Sequence, residues 1–210
     1  MLTDNQLEDM CRRMNVPLEA IVFKDELPNK LKYNRAYIIN LEDEYDEEGK
    51  PNDGSHWTCL QVNKYPSGKV EPFYFDSYGM PPPNNVVKSV LDTTGQKLPF
   101  NTKDIQSLMN NACGFYCCAL LHYLNAFPHR TKDIYNDAET FLDMFDDLNK
   151  SVDFKKNEYI LKHFFVPEDP KLRKKIEIDA DPARIISAEG IDMMKVPIDI
   201  KYMDNTNSIK

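Results

Sequence analysis

The run CGFYCCALLHYL, from Cys113 to Leu124, is apolar almost all the way round when wound into a helix. Such a helix has no face to offer water, so it belongs in the centre of a domain, enclosed by other elements. A chain of 210 residues with 41% hydrophobic and 11% aromatic content can supply that enclosure. This length suits one globular domain with appendages, or two small ones, and the composition is too apolar for a disordered chain.

The helix opens on a cysteine. Cys113 directly follows the polar run SLMNNA and precedes Gly114, which permits close backbone approach. A thiol at a helix N-terminus faces unsatisfied N–H groups and the positive end of the dipole, and both favour its thiolate. Cys117 and Cys118 lie a turn further in and are expected to be inert core residues. A metal site from Cys113, Cys117, Cys118 and His122 has some helical i, i+4 pairs, but no second ligand cluster completes it. No metal or other cofactor is expected. Five cysteines in all, with three crowded together, do not resemble a disulfide framework and point to free thiols in a reducing compartment.

Other elements follow from local patterns. Thr3 and Gln6 form a capping box for a helix over 3–14, with Leu7, Met10, Cys11 and Met14 on one face. The proline-bearing stretch that follows is expected to be irregular, and residues 35–40 (RAYIIN) to be a strand. Residues 84–93 suit a short helix, 136–149 an amphipathic helix burying Phe141, Leu142, Phe145 and Leu148, and 157–165 a further aromatic-rich piece. The segment from Leu41 to Ser55 carries seven acids between Glu42 and Asp53 and reads as a solvated loop, or as an acidic rim for basic substrates. Beyond residue 166 charges cluster, and residues 167–210 are expected to be a C-terminal extension to a domain over 1–166.

HWTCLQV and KVEPFYFD are two strand-like runs joined through Tyr65-Pro66-Ser67-Gly68-Lys69. Pro-Ser-Gly suits a three-residue loop, a type I turn closed by glycine in the left-handed region. Pairing Tyr65 with Lys69 sets Thr58 opposite Asp76, and His56 diagonal to Asp76 on the same face. Diagonal neighbours lie about 7–8 Å apart at the backbone, within reach for a histidine and a carboxylate. An acid beside a histidine fixes its tautomer and stabilises its imidazolium. Pro72 is expected at a sheet edge or bulge.

The formal net charge of −8 argues against nucleic acid as a primary ligand, since phosphate backbones repel such a chain. No apolar run approaches the length of a bilayer span, and neither a secretory signal nor a membrane partner is expected.

An ordered set of motifs resembles the adenovirus-type viral maturation proteases and the related ubiquitin-like-protein proteases. The set is Gly54-Ser55-His56-Trp57, then Phe75-Asp76-Ser77-Tyr78-Gly79, then Gln106, then Cys113-Gly114-Phe115-Tyr116-Cys117-Cys118. The resemblance implies an α+β fold, a central mixed β-sheet packed against a buried helix that carries the nucleophilic cysteine. It implies Cys113 as nucleophile, His56 as general base and acid, Asp76 as its orienting partner and Gln106 as an oxyanion donor. Trp57 is then either a wall of the substrate groove or a core aromatic.

The seven-residue step from Gln106 to Cys113 and the double cysteine look like the viral enzymes. FLDMFDDLN is similar to proteases of large DNA viruses and virophages, and the DSYG piece is shared with the cellular branch. The expected activity is therefore cleavage of capsid or core precursor proteins after small residues (Gly-Gly-X or Gly-X) in the virion and the host-cell cytoplasm. A ubiquitin-like-protein isopeptidase and a non-catalytic binding module on the same fold are the rivals.

Overall fold

The computed structural model describes residues 2–108, 110–126, 133–150 and 154–165. Helix α1 (Asp4–Arg13) starts as its capping box requires: Gln6 N donates to the Thr3 side chain at 3.4 Å and Thr3 N to Gln6 Oε1 at 2.9 Å. It ends on Asn15 in the left-handed region (φ 54°), while Val16 N reaches back to Cys11 O at 2.9 Å. That pattern satisfies carbonyls the last turn leaves open. Leu7, Met10 and Cys11 face inward.

The next segment differs from the irregular lead-in expected. Leu18–Phe23 is a strand, β1, lying parallel to β2 (Arg35–Asn40). All six of its residues are half-buried, so it shows no alternation between faces to announce a strand. Its place at the sheet edge explains the even exposure. β3 (Trp57–Lys64) and β4 (Val70–Phe75) complete a four-stranded sheet of order β1-β2-β3-β4, with β2/β3 and β3/β4 antiparallel. Pro72 sits in the edge strand β4, where a missing N–H costs least.

The β3–β4 turn is the three-residue loop expected. Tyr65 N donates to Lys69 O and Gly68 N to Tyr65 O, both at 2.9 Å, and Gly68 takes φ 85°. Lys64 pairs with Val70 and Cys59 with Phe75, so the register runs without a bulge to the site end of the hairpin.

Both faces of the sheet are covered. Tyr37, Ile39, Leu60, Val62 and Tyr74 pack under α2 (Asn84–Thr94) with Val86 and Val90. Ala36, Ile38, Cys59, Phe73 and Phe75 form the larger core with α1 and α3 (Cys113–Ala126). Every residue from Ala112 to Leu124 is buried, as the all-round apolar sequence demands. Gly114 is where α1 presses on α3: a Cβ there would meet Leu7 Cδ2 at 2.9 Å. The architecture is α+β, a central mixed sheet packed against the buried helix that begins at Cys113.

Two further helices close the core, α4 (Ile134–Leu142) and α5 (Phe154–His163). α4 begins and ends earlier than the expected 136–149. Asp133 caps it, accepting Tyr135 N at 3.0 Å and Asn136 N at 3.2 Å. Beyond Leu142 the chain turns back on itself because side chains and loops claim its backbone. Asn157 holds both Asp146 N and Asp146 O at 2.7 Å, and Leu148 N donates to Asp104 O at 2.7 Å. Phe141, Leu142 and Phe145 are buried as expected, and Leu148 is half-buried. The extension expected over 167–210 lies outside the described residues.

Candidate active site

The open end of the hairpin, the turn after β4, the loop 101–112 and the mouth of α3 converge on one spot. The chain reaches β3 through a fixed approach. Asn40 Oδ1 accepts Glu42 N at 3.1 Å and Ser55 N at 3.2 Å, and Leu41 N donates to His56 O at 3.0 Å. Gly54 lies at φ 79°, and a Cβ there would fall 2.1 Å from Asn40 Nδ2. Only glycine fits, and its place directly before Ser55-His56 fixes where the imidazole stands.

His56 Nε2 meets Asp76 Oδ1 at 3.0 Å, the juxtaposition the hairpin register predicts. Cys113, buried, is the first residue of α3. Asp76 is fully buried. Its Oδ1 also accepts Tyr78 N at 2.7 Å, while Oδ2 has no hydrogen-bond partner. The backbone of Asp76 is clamped by the Asn101 amide, which accepts Asp76 N at 3.0 Å and donates to Asp76 O at 2.7 Å. Gly79 N donates to the same carbonyl at 2.9 Å; at φ 71° it passes so close to Thr102 that a Cβ would stand 2.7 Å from its carbonyl.

Burial works against a charged imidazole, but its interactions with the Asp76 carboxylate and with Cys113, and the charges of both, outweigh it. The His56 pKa is pushed up from 6.5 to about 9. At neutral pH the ring is therefore held as imidazolium next to a thiol, which is the arrangement that activates a sulfur nucleophile.

The remaining cysteines are of another kind. Burial, then contact with Cys59, raises the Cys117 thiol well above its ordinary range; contact with Cys11, then burial, does so for Cys118. Cys117 Sγ donates to Trp57 O at 3.4 Å and Cys118 Sγ lies 3.8 Å from Cys11 Sγ. All five cysteines are free thiols. His122 Nδ1 donates to Met14 O at 2.8 Å. Among the described residues no group of three or more His, Cys, Asp or Glu is disposed to hold a metal. No helix among them is long and apolar enough to cross a membrane.

Gln106 is 1% exposed and fully engaged. Its Oε1 accepts Ser77 Oγ at 2.7 Å, and its Nε2 donates to Tyr78 Oη at 3.0 Å and to Asn110 O at 3.1 Å. Trp57 is 4% exposed and its indole N–H donates to Leu2 O at 2.9 Å. It packs among the residues of the larger core.

Several residues beside the site carry no signal in the sequence except as neighbours in a motif. Tyr78 stacks on His56, with ring centroids 4.6 Å apart and planes at 29°. Ser77, Asn101 and Asn110 supply the bonds that hold Gln106 and Asp76. A cavity of about 630 Å³ lies at the turn end of the hairpin among Asn34, Tyr65, Lys69 and Ile134, and touches none of His56, Asp76 or Cys113.

No family model matches the chain, and no curated protein does. Among solved structures the chain is similar to HopZ1a in complex with IP6, at a TM-score of 0.43 and 11% identity. That match covers 65% of this chain and 49% of HopZ1a, so the chain spans about half its length. It is also similar to the Xanthomonas campestris effector protein XopD bound to ubiquitin, at a TM-score of 0.37 and 12% identity, covering 66% of this chain and 90% of that one.

Proposed function

We propose that the protein is a cysteine endopeptidase in which Cys113 is the nucleophile, His56 the general base and acid, and Asp76 the partner that orients His56. The supporting observation is a single imidazole that carries Asp76 on Nε2 at 3.0 Å and whose charged form is favoured by Asp76 and by Cys113, the first residue of a buried helix. In this reading the thiolate attacks the scissile carbonyl, and the imidazolium gives its proton to the departing amine. A thioester forms on Sγ. His56 then takes a proton from water, whose oxygen displaces the sulfur and releases the acid. The Cys113 backbone N–H stabilises the oxyanion, and the resemblance assigns Gln106 as the side-chain donor there.

The ordered motif set from Gly54 to Cys118 supports substrates that are capsid or core precursors, cut after small residues in Gly-Gly-X or Gly-X sequences. The place of action would then be the virion and the host-cell cytoplasm, with residues 1–166 as the protease domain and 167–210 as an extension.

A cleavage profile on a peptide library, with Cys113→Ala as control, tests both levels. Cleavage after glycine by the wild type alone is expected. Full activity in the Cys113→Ala chain would overturn the mechanism. Strong preference for a folded ubiquitin-like substrate over short peptides would replace the precursor reading with an isopeptidase.

A further inference from the structure

The Gln106 amide has no hydrogen left to offer a substrate. Its two N–H bonds point at Tyr78 Oη (3.0 Å) and the Asn110 carbonyl (3.1 Å), and because that carbonyl can only accept, it fixes the amide with Oε1 toward Ser77 Oγ (2.7 Å). At 1% exposure the side chain also lies beneath the surface a substrate would touch. Tyr78 covers it. The Tyr78 side chain is half-buried, its ring lies on His56, and its hydroxyl accepts from Gln106 while keeping its own hydrogen.

We infer that Tyr78 is a further catalytic residue: its hydroxyl, polarised by the Gln106 amide behind it, is the side-chain donor to the oxyanion. This inference rests on the cysteine-protease reading. As Sγ bonds to the carbonyl carbon, the carbonyl π pair moves onto oxygen, and the Tyr78 O–H donates a hydrogen bond to it without giving up its proton. When the intermediate collapses, the pair returns, the C–N bond breaks and the amine leaves with the proton from His56. Chains of hydrogen bonds polarise one another, so the N–H from Gln106 makes the phenol a stronger donor.

The phenol also keeps its proton in the working range. Burial, then the charges of Cys113, Asp76 and Asp104, push its pKa up to about 12. The stack on His56, with centroids 4.6 Å apart, places the phenol beside the imidazole that serves the thiol. Ser77, Tyr78 and Gln106 thus form one relay, in which the buried amide acts through the hydroxyl.

The test uses the full chain and a peptide ending in Gly-Gly-aminomethylcoumarin, with iodoacetamide alkylation of Cys113 as a second readout. Removing one oxyanion donor costs on the order of 100-fold in rate. Tyr78→Phe should therefore lower kcat about 100-fold with KM nearly unchanged. Cys113 should still alkylate at the wild-type rate, because the ring on His56 remains. Gln106→Ala should lower kcat in the wild type but add little on the Tyr78→Phe background, since the two act in series.

A Tyr78→Phe enzyme with wild-type or faster turnover overturns the inference, and so do losses that multiply in the double variant. If the Phe variant does not fold, 3-fluorotyrosine placed at position 78 interrogates the same hydroxyl. Its more acidic O–H should raise kcat at neutral pH, and an unchanged kcat counts against the relay. Should the wild type itself hydrolyse no peptide, the protease reading fails and the relay falls with it. Normal wild-type turnover with an indifferent Tyr78→Phe removes the relay alone.

Discussion

Strand β4 carries a buried acid at each end, and the two are built differently. At the turn end Glu71, 1% exposed, pairs with Lys69 and accepts Ile134 N at 2.9 Å, so it anchors the start of α4. Lys69 also reaches Asp133, the cap of that helix, at 3.3 Å. At the other end Asp76, fully buried, has a histidine where Glu71 has a lysine. A lysine keeps its charge across the biological pH range, whereas an imidazole can gain or lose its proton. One acid therefore serves as a fixed joint, and the other sits beside a group able to move a proton. Burial alone does not distinguish them; the partner does.

The largest effects should come from the titrating end. Cys113→Ala and His56→Ala should each lower peptide cleavage by on the order of 10⁴-fold or more, as removal of a nucleophile or its base does elsewhere. Circular dichroism and the unfolding midpoint should stay close to wild type for Cys113→Ala. Appreciable turnover in either variant would break the comparison, because Asp76 would then be as structural as Glu71.

Asp76→Asn comes next, with a loss in kcat on the order of 10²- to 10⁴-fold, since the amide cannot stabilise the imidazolium. Its pH dependence is the sharper observable. The folded His56 pKa is raised, from 6.5 to about 9, so the charged ring is present below that value and disappears above it. The rate of amide cleavage should fall on the alkaline side with a midpoint near 9. The linked stability is fully present below pH 6.5 and is lost as pH rises through about 9. In Asp76→Asn the alkaline limb should shift down toward 6.5. An unmoved limb would mean that Asp76 does not set the charge on His56.

This much was legible in the sequence because turn chemistry is local. Pro66-Ser67-Gly68 dictates a three-residue loop, the loop dictates register, and the register carries His56 to Asp76. The buried helix was legible for a similar reason: no polar face means no solvent face. The edge strand β1 was not, because a half-buried strand paired on one side shows neither alternation nor a continuous apolar run. The end of α4 was hidden too, since Asn157 and Asp104 capture that backbone from elsewhere in the chain. Within the site, Tyr78 and Asn101 act through a ring stack and an amide clamp, contacts that leave no periodic trace. The Asn101 clamp spans 25 residues, beyond the reach of any turn rule.

Glu71→Ala addresses the other end of β4 and should produce a moderate effect of the opposite kind. It leaves Ile134 N without its acceptor and Lys69 without its nearest anion, a loss of about 1–3 kcal/mol in unfolding free energy. Urea unfolding should register that loss, while kcat and the alkaline midpoint stay at wild-type values. A kcat that falls together with stability would show the two ends of β4 to be coupled.

The smallest effect expected is that of salt, and it separates the two ends without a mutation at the site. Raising ionic strength from about 0.1 to 1 M shortens the screening length from about 10 to 3 Å, which weakens exposed pairs far more than buried ones. The side chain of Lys69 is 51% exposed and that of Asp133 37%, whereas His56 and Asp76 are 12% and 0%. The coupling between Lys69 and Asp133, from a double-mutant cycle with Lys69→Met and Asp133→Asn, should therefore shrink by a few tenths of a kcal/mol in high salt. The alkaline midpoint of cleavage should move by less than about 0.3 pH units over the same range, because the pair behind it is shielded from ions. A fall of a whole unit would place the His56–Asp76 pair within reach of solvent ions. It would then respond as the Glu71 end does, and its charge would no longer be set by burial and Asp76 alone.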